Sequence, residues 1–213
     1  MINKATRFVI IGFIAISCVQ ILSNLMQINL ITDYAVKGRY SEDVFYVLAD
    51  QNDVRARAVG LLFVASLLAS IAIICRWLFV SARQNHLAGV EGLRISPGWA
   101  VGWFFVPVAN IVMPYRALRE IYRASFRNAD WAENPVPYYL PAWWTFWIIT
   151  NLLSNASFRM EMRLGDDYTF EALNVISYVD IAADATGIFC AYFLLRIVNV
   201  VVENQQRGAG LGA

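Results

Sequence analysis

A chain of 213 residues of which 59% are hydrophobic and only 15% charged is too apolar for an ordinary soluble domain, where the apolar share is about half and the charged share about a quarter. Its formal net charge of +1 supplies no global field to attract nucleic acid, so partners must be sought in local patches. Cys18, Cys75 and Cys190 all fall inside apolar runs, with no C-x-x-C spacing and no neighbouring histidine, and so indicate neither a disulfide framework nor a zinc site.

In chain order, a short basic start with Lys4 and Arg7 leads into the apolar run 8–31, long enough to cross a hydrocarbon core that takes about 20 residues. The run continues past Cys18 without a small-residue cleavage site, which predicts an uncleaved first span. Ser17, Gln20, Asn24 and Gln27 recur at steps of three and four and predict one inward polar face, of the kind that bonds helices together. The polar stretch 32–57 predicts a connection, with Ser41 ahead of Glu42 and Asp43 as a helix start and Asp53 as the cap of the following helix. Residues 59–80 are the second span. Gly89 and Gly92 in 81–95 predict a helix end and a turn, on which His86, the only histidine, is a surface residue.

Residues 97–113 are apolar but short, and Pro107 removes an amide donor from their middle, which predicts a re-entrant or strongly kinked segment. Gly98 and Gly102 are four apart, a spacing that admits a second helix. Pro114 then opens a basic amphipathic helix over 114–127. Leu118, Ile121 and Tyr122 lie on one face and Arg116, Arg119, Arg123 and Arg127 around the other, a pattern that predicts a helix lying flat at lipid headgroups. Glu120 has Arg116 and Arg123 at ion-pairing spacing. Prolines mark 128–141 as a loop, and 142–155 is a span opened by the interfacial aromatics Trp143, Trp144 and Trp147. A polar, acidic connection over 156–171 precedes the last span, 173–202, and Gly208, Gly210 and Gly212 predict a frayed tail.

The centre of this sequence resembles a known family. Pro97, Gly98, Trp99, Gly102, Trp103, Phe104, Phe105, Pro107, Asn110, Pro114, Tyr115, Arg119, Glu120, Arg123, Ala124 and Ser125 carry the resemblance. Upstream, Trp77 with Ala82, Arg83, Asn85, Leu87 and Gly89 extends it, as do Trp143 and Trp144 downstream, so that it covers residues 59–155. They resemble a bacterial integral membrane family known as domain of unknown function 4328. The resemblance implies an architecture and no activity.

The predicted fold class is all-α integral membrane: four transmembrane helices (8–31, 59–80, 142–155, 173–202), a Pro-broken re-entrant segment at 97–113 and a basic interfacial amphipathic helix at 114–127, in one polytopic domain, 1–213. Turning 97–113 back to the side it came from places eleven of the 17 Lys and Arg residues on the cytoplasmic side, in keeping with the positive-inside rule. It predicts cytoplasmic N- and C-termini in a bacterial inner membrane.

Asp180 and Asp184, four apart in the last span with Ser177 and Gly187 on the same face, are candidates for an intramembrane ion or proton site with Gln20, Asn24 and Asn151; the alternative is a structural polar cluster. Pro107, Asn110, Pro114 and Tyr115 form a broken-helix motif whose freed backbone can line a ligand site, or in which Asn110 caps the broken helix. Arg116, Arg119, Arg123 and Arg127 suit anionic lipid headgroups, or else a soluble anion or docking protein. No catalytic constellation, metal or cofactor motif or nucleic-acid module is present in the sequence. The expectation is a non-enzymatic integral membrane protein that acts by association, as an accessory subunit or small sensor of a larger membrane assembly. The alternative is a small proton- or cation-coupled transporter or channel using Asp180 and Asp184.

Overall fold

The computed structural model describes residues 2–164 and 169–210, and among them it is all-helical. Six α-helices follow one another: α1 (Ile2–Ala35), α2 (Glu42–Leu87), α3 (Pro97–Gly102), α4 (Met113–Ala124), α5 (Tyr139–Leu164) and α6 (Phe170–Gly210). Two 3-10 turns, Trp103–Phe105 and Ala109–Ile111, lie between α3 and α4, and a third, Trp131–Glu133, lies between α4 and α5. Three helices, α1, α2 and Phe170–Arg207 of α6, are long and apolar enough to cross a membrane, which points to a membrane protein.

The long helices overrun the predicted boundaries. The polar stretch 42–57 is the first third of α2 and not a connection, so Asp53 sits inside a helix and caps nothing. No proline or glycine interrupts 42–59, and polarity alone does not stop a helix whose residues retain good propensity. The real turn is short. Gly38 takes φ 57°, and Asp33 at the end of α1 pairs with Lys37 at 2.9 Å and Arg39 at 3.2 Å. Likewise α5 starts before Pro141, which is tolerated in a first turn where no intrahelical donor is required, and runs on to Leu164 through residues expected to be a loop. At the far end α6 extends through Gly208 to Gly210, where a frayed tail was expected; Gly212 lies outside the described residues.

Packing divides the chain into two compact units. The first comprises Met1–Ile11, Leu68–Thr145 and Cys190–Ala213. Its core joins Trp77 and Leu78 of α2, Ala117, Leu118 and Ile121 of α4, Leu140 and Trp143 of α5, and the stripe Leu194, Ile197, Val198 and Val201 of α6, all buried. A polar knot crosses it. The buried Asn85 of α2 donates from Nδ2 to the Ile121 carbonyl at 3.1 Å, and its Oδ1 accepts from Gln205 Nε2 of α6 at 2.9 Å. Gln205 Nε2 also donates to the Ser81 carbonyl at 2.9 Å.

The second unit comprises Gly12–Leu67 and Phe146–Phe189. Here α5 and α6 run antiparallel in a legible register: Phe146 stacks on Phe189 with ring centroids 5.2 Å apart, Thr150 Oγ1 donates to Thr186 Oγ1 at 2.9 Å, and Ser157 donates to Asp180. Tyr34 of α1 stacks on Phe45 of α2 at 3.9 Å, and Phe170 of α6 meets both rings edge-on at 5.6 Å. Arg55 of α2 ties back to α1 by donating to the Ser23 carbonyl at 2.9 Å.

Removing the Asn85 amide takes away two buried hydrogen bonds and leaves the Ile121 carbonyl with only the Ser125 amide and Gln205 Nε2 with only the Ser81 carbonyl, at a cost of about 1–3 kcal/mol for the two. Asn85→Ala is expected to lower the thermal-unfolding midpoint of the purified protein in detergent, while Arg83→Ala, two residues away and exposed, leaves it unchanged.

Candidate functional site

Three groups of residues carry polar chemistry. The first is the broken segment between α3 and α4. Ser96 Oγ accepts from Trp99 N at 3.4 Å to cap α3, which Pro97 opens. The chain then turns sharply: Ala109 N donates to the Pro107 carbonyl at 2.8 Å across Val108, which holds φ 67° and ψ −50°. This is a γ-turn of the positive-φ kind, strained for a β-branched residue. Trp99, Phe105, Val108, Ile111 and Val112 are all exposed around it. Asn110 does not cap α4, whose N-terminal flank is Val112 without a side-chain bond; its Oδ1 is buried with no partner. Among the described residues no second helix packs against Gly98 or Gly102. Space beside Gly98 is open, and Gly102 is covered by the ring of Trp99 from its own helix, 3.1 Å from where a Cβ would stand.

The two ends of this segment are fastened to each other. Glu120 of α4 accepts from the backbone amides of Arg94 at 3.2 Å and Ile95 at 2.9 Å, and Trp131 Nε1 donates to the Glu91 carbonyl at 2.8 Å. His86 is exposed, as expected of a surface residue, and its Nε2 lies 3.1 Å from the Ile95 carbonyl. Glu120 therefore serves the backbone of the preceding loop and not Arg116 or Arg123. The i,i+4 rule could not reveal that partner, because it lies 25 residues upstream.

The second group is basic. Steps of three and four bring Arg116, Arg119 and Arg123 onto one side of α4, opposite the buried Ala117, Leu118, Ile121 and Tyr122. Arg119 lies over the Tyr115 ring at 5.8 Å. Arg127 does not belong to this face: α4 stops at Ala124, and Arg127 follows with φ 54°, lining a cavity of about 470 Å³ with Asn3, Gln84 and Gln205. Nε of both Arg123 and Arg127 is buried without a partner. On the inner side of α4, the Tyr122 and Tyr139 hydroxyls are 3.0 Å apart, and burial together with that contact pushes the Tyr122 phenol well above its ordinary range.

The third group lies in the second unit. Ser177, Asp180, Asp184 and Gly187 do share one face of α6, and Ser177 and Asp184 are buried on it. Gln27 of α1 donates to Ser177 at 3.3 Å. Ser17, Gln20 and Asn24 each retain a buried polar atom with no partner, Oγ, Oε1 and Nδ2 respectively. Asn151 is not part of this group. It is exposed and bonded to the Trp147 carbonyl of its own helix at 2.7 Å, because the α5 face toward α6 is set by Phe146, Thr150 and Ser157 and Asn151 is rotated about 100° away. Ser157 is the residue that sequence reading missed, since it fell in a stretch taken for a loop. Its spacing of seven from Thr150 was the available signal. Among the described residues, no cluster of three or more His, Cys, Asp or Glu is placed to hold a metal ion.

Glu120→Ala is expected to raise the hydrogen-exchange rates of the Arg94 and Ile95 amides about tenfold, the equivalent of roughly 1.4 kcal/mol for bonds to a charged acceptor. Glu120→Gln, which keeps one acceptor oxygen, is expected to have a smaller effect.

No curated protein and no solved structure matches the chain. A family model matches residues 41–203, a range that reaches beyond the predicted 59–155 on both sides and takes in the broken segment, the arginine face and both aspartates. On that match the chain belongs to the family described as Domain of unknown function (DUF4328).

Proposed function

We propose that this protein is a non-enzymatic integral membrane protein that works by association with another membrane chain, as an accessory subunit or small sensor. The observation that carries this reading is on α2. Its most apolar window is only 6% buried, against 39% for α6, and Ala58, Leu61, Leu62 and Ala65 form an exposed stripe at helical spacing. Small residues on either side of the leucines let a second helix approach closely enough for van der Waals packing, the main attraction between helices that lipid surrounds equally well.

In this reading α1, α2, α5 and α6 are four spans, and residues 97–113 dip into the bilayer and return. Two features support the re-entrant placement. A segment that crossed would part its ends by about 30 Å, whereas Glu91 and Trp131, Ile95 and Glu120 are in hydrogen-bond contact. The strained tip at Val108 is apolar and outward, suited to lipid. The amphipathic α4 then rests at the headgroups with Arg116, Arg119 and Arg123 toward anionic lipid. Both termini face the cytoplasm, in a bacterial inner membrane.

Two measurements test this. With the native cysteines replaced by serine, Glu91→Cys and Asn128→Cys are expected to label from one side of the membrane and Thr169→Cys from the other; labelling of Glu91→Cys and Asn128→Cys from opposite sides overturns the re-entrant placement. Leu62→Cys is expected to cross-link within native membranes to a companion chain, giving a band heavier than the 24.0 kDa monomer, and Ala65→Phe to reduce it severalfold. A protein that stays monomeric and uncrosslinked at Leu62 does not act by association through α2.

A further inference from the structure

The polar face of α6 has an unusual setting. Phe13, Ser17, Gln20, Asn24 and Gln27 follow one face of α1 at steps of three and four, and Ser177, Asp180, Asp184 and Gly187 follow one face of α6 in the same way. The ends of these two faces touch. Phe13 reaches within 4.0 Å of the Cβ position of Gly187, and Gln27 bonds Ser177 at 3.3 Å, so the helices run antiparallel and the residues between these contacts face each other. Opposite the two aspartates therefore stand Ser17, wholly buried with Oγ unpartnered, Asn24, nine-tenths buried with Nδ2 unpartnered, and Gln20 with Oε1 unpartnered. From α5, Ser157 is buried and donates to Asp180 Oδ1, and Thr150 lies 3.7 Å from the Cβ position of Gly187.

Buried polar atoms left without partners in a native core call for an unseen partner. The charges here say which kind. Asp180 and Asp184 are one turn apart and interact electrostatically, and the third acid in range, Glu161 of α5, acts on Asp180 from an exposed position. Arg55, the basic side chain bonded inward from α2, is bound to Ser23 and Asn52, and among the described residues no ion pair reaches either aspartate. A pair of carboxylates on an apolar helix without a basic partner needs a cation to neutralise it.

We propose that Asp180 and Asp184, with Ser157 of α5 and Ser17 and Gln20 of α1, form a binding site for Na⁺. The donors are oxygens, which select a hard cation over a transition metal. Five side chains bring oxygens here, whereas Ca²⁺ takes about six to eight and Mg²⁺ demands a near-ideal octahedron, so a monovalent ion is the better match. Glu161, exposed and one turn beyond Ser157 on α5, gives the ion a first point of attraction on its way to Asp180 and then Asp184.

The test is calorimetric titration of NaCl into the full chain, purified in lipid nanodiscs at constant ionic strength set by choline chloride, with KCl as the comparison. Saturable Na⁺ binding is expected, at least tenfold tighter than K⁺. Asp184→Asn and Asp180→Asn are each expected to weaken it at least tenfold, and Ser17→Ala severalfold. Glu161→Gln is expected to slow Na⁺ uptake in stopped-flow tryptophan fluorescence, leaving the final affinity within twofold. Equal responses to NaCl, KCl and choline, or a response to pH alone, overturn the Na⁺ site. Should Asp184→Asn fail to fold, the titration of the wild type together with Ser17→Ala decides the matter. The measurement uses the isolated protein, so it stands or falls independently of any cross-linked companion at Leu62.

Discussion

A broken helix frees backbone groups that need partners, and the first unit is arranged around that constraint. Pro107 forces a break between α3 and α4, and four amides that follow it are satisfied locally, Ala109 by Pro107, Asn110 by Val106, Ile111 by Val108 and Val112 by Ala109. The cost appears as the left-handed backbone of Val108. Strain of that kind persists only where the surroundings over-determine it. Here they do, because the Glu120 carboxylate and the Trp131 indole hold the loop over 91–95 against the elements that follow the break.

The second unit meets a different form of the same constraint. Its helices keep their backbone bonds, so the polar groups at issue are side chains. Hydroxyl–hydroxyl and hydroxyl–carboxylate contacts along α5 and α6 set a register that apolar packing alone leaves loose, since aliphatic surfaces slide past one another with little change in energy. Polar residues on these helices thus do two jobs. Thr150 and Thr186 bond each other and Ser177 accepts from Gln27, which serves helix pairing, while Ser17, Gln20 and Asn24 each keep a buried polar atom without a partner.

Much of this was legible in the sequence because the informative signals are local. Pro107 and Pro114 marked the break and the start of a new helix, and the period of Leu118, Ile121 and Tyr122 marked the buried side of α4. Helix ends were less legible: stretches such as 42–57 and 156–164 are polar, and polarity was read as loop where nothing in the covalent chemistry stops a helix. Partners distant in sequence were not legible at all. Glu120 has arginines at helical spacing on its own helix and bonds a loop 25 residues away, and the polarity of Asn151 predicts an inward side chain that the helical phase set by Phe146, Thr150 and Ser157 turns out. The polar face of α1 and the aspartate face of α6 were each visible alone, but only tertiary structure brings them opposite one another.

The length of α2 has a mechanical consequence. At 1.5 Å per residue its 46 residues span about 69 Å, while a bilayer with its headgroups is only about 40–45 Å thick. A helix upright in that bilayer overhangs it by some 25 Å, with neither a proline nor a glycine before Gly60 to serve as a joint. That overhang is braced and not free, because Phe45 packs against Tyr34 and Phe170 and Arg55 holds the Ser23 carbonyl, so whatever meets the Glu42 end meets three helices at once.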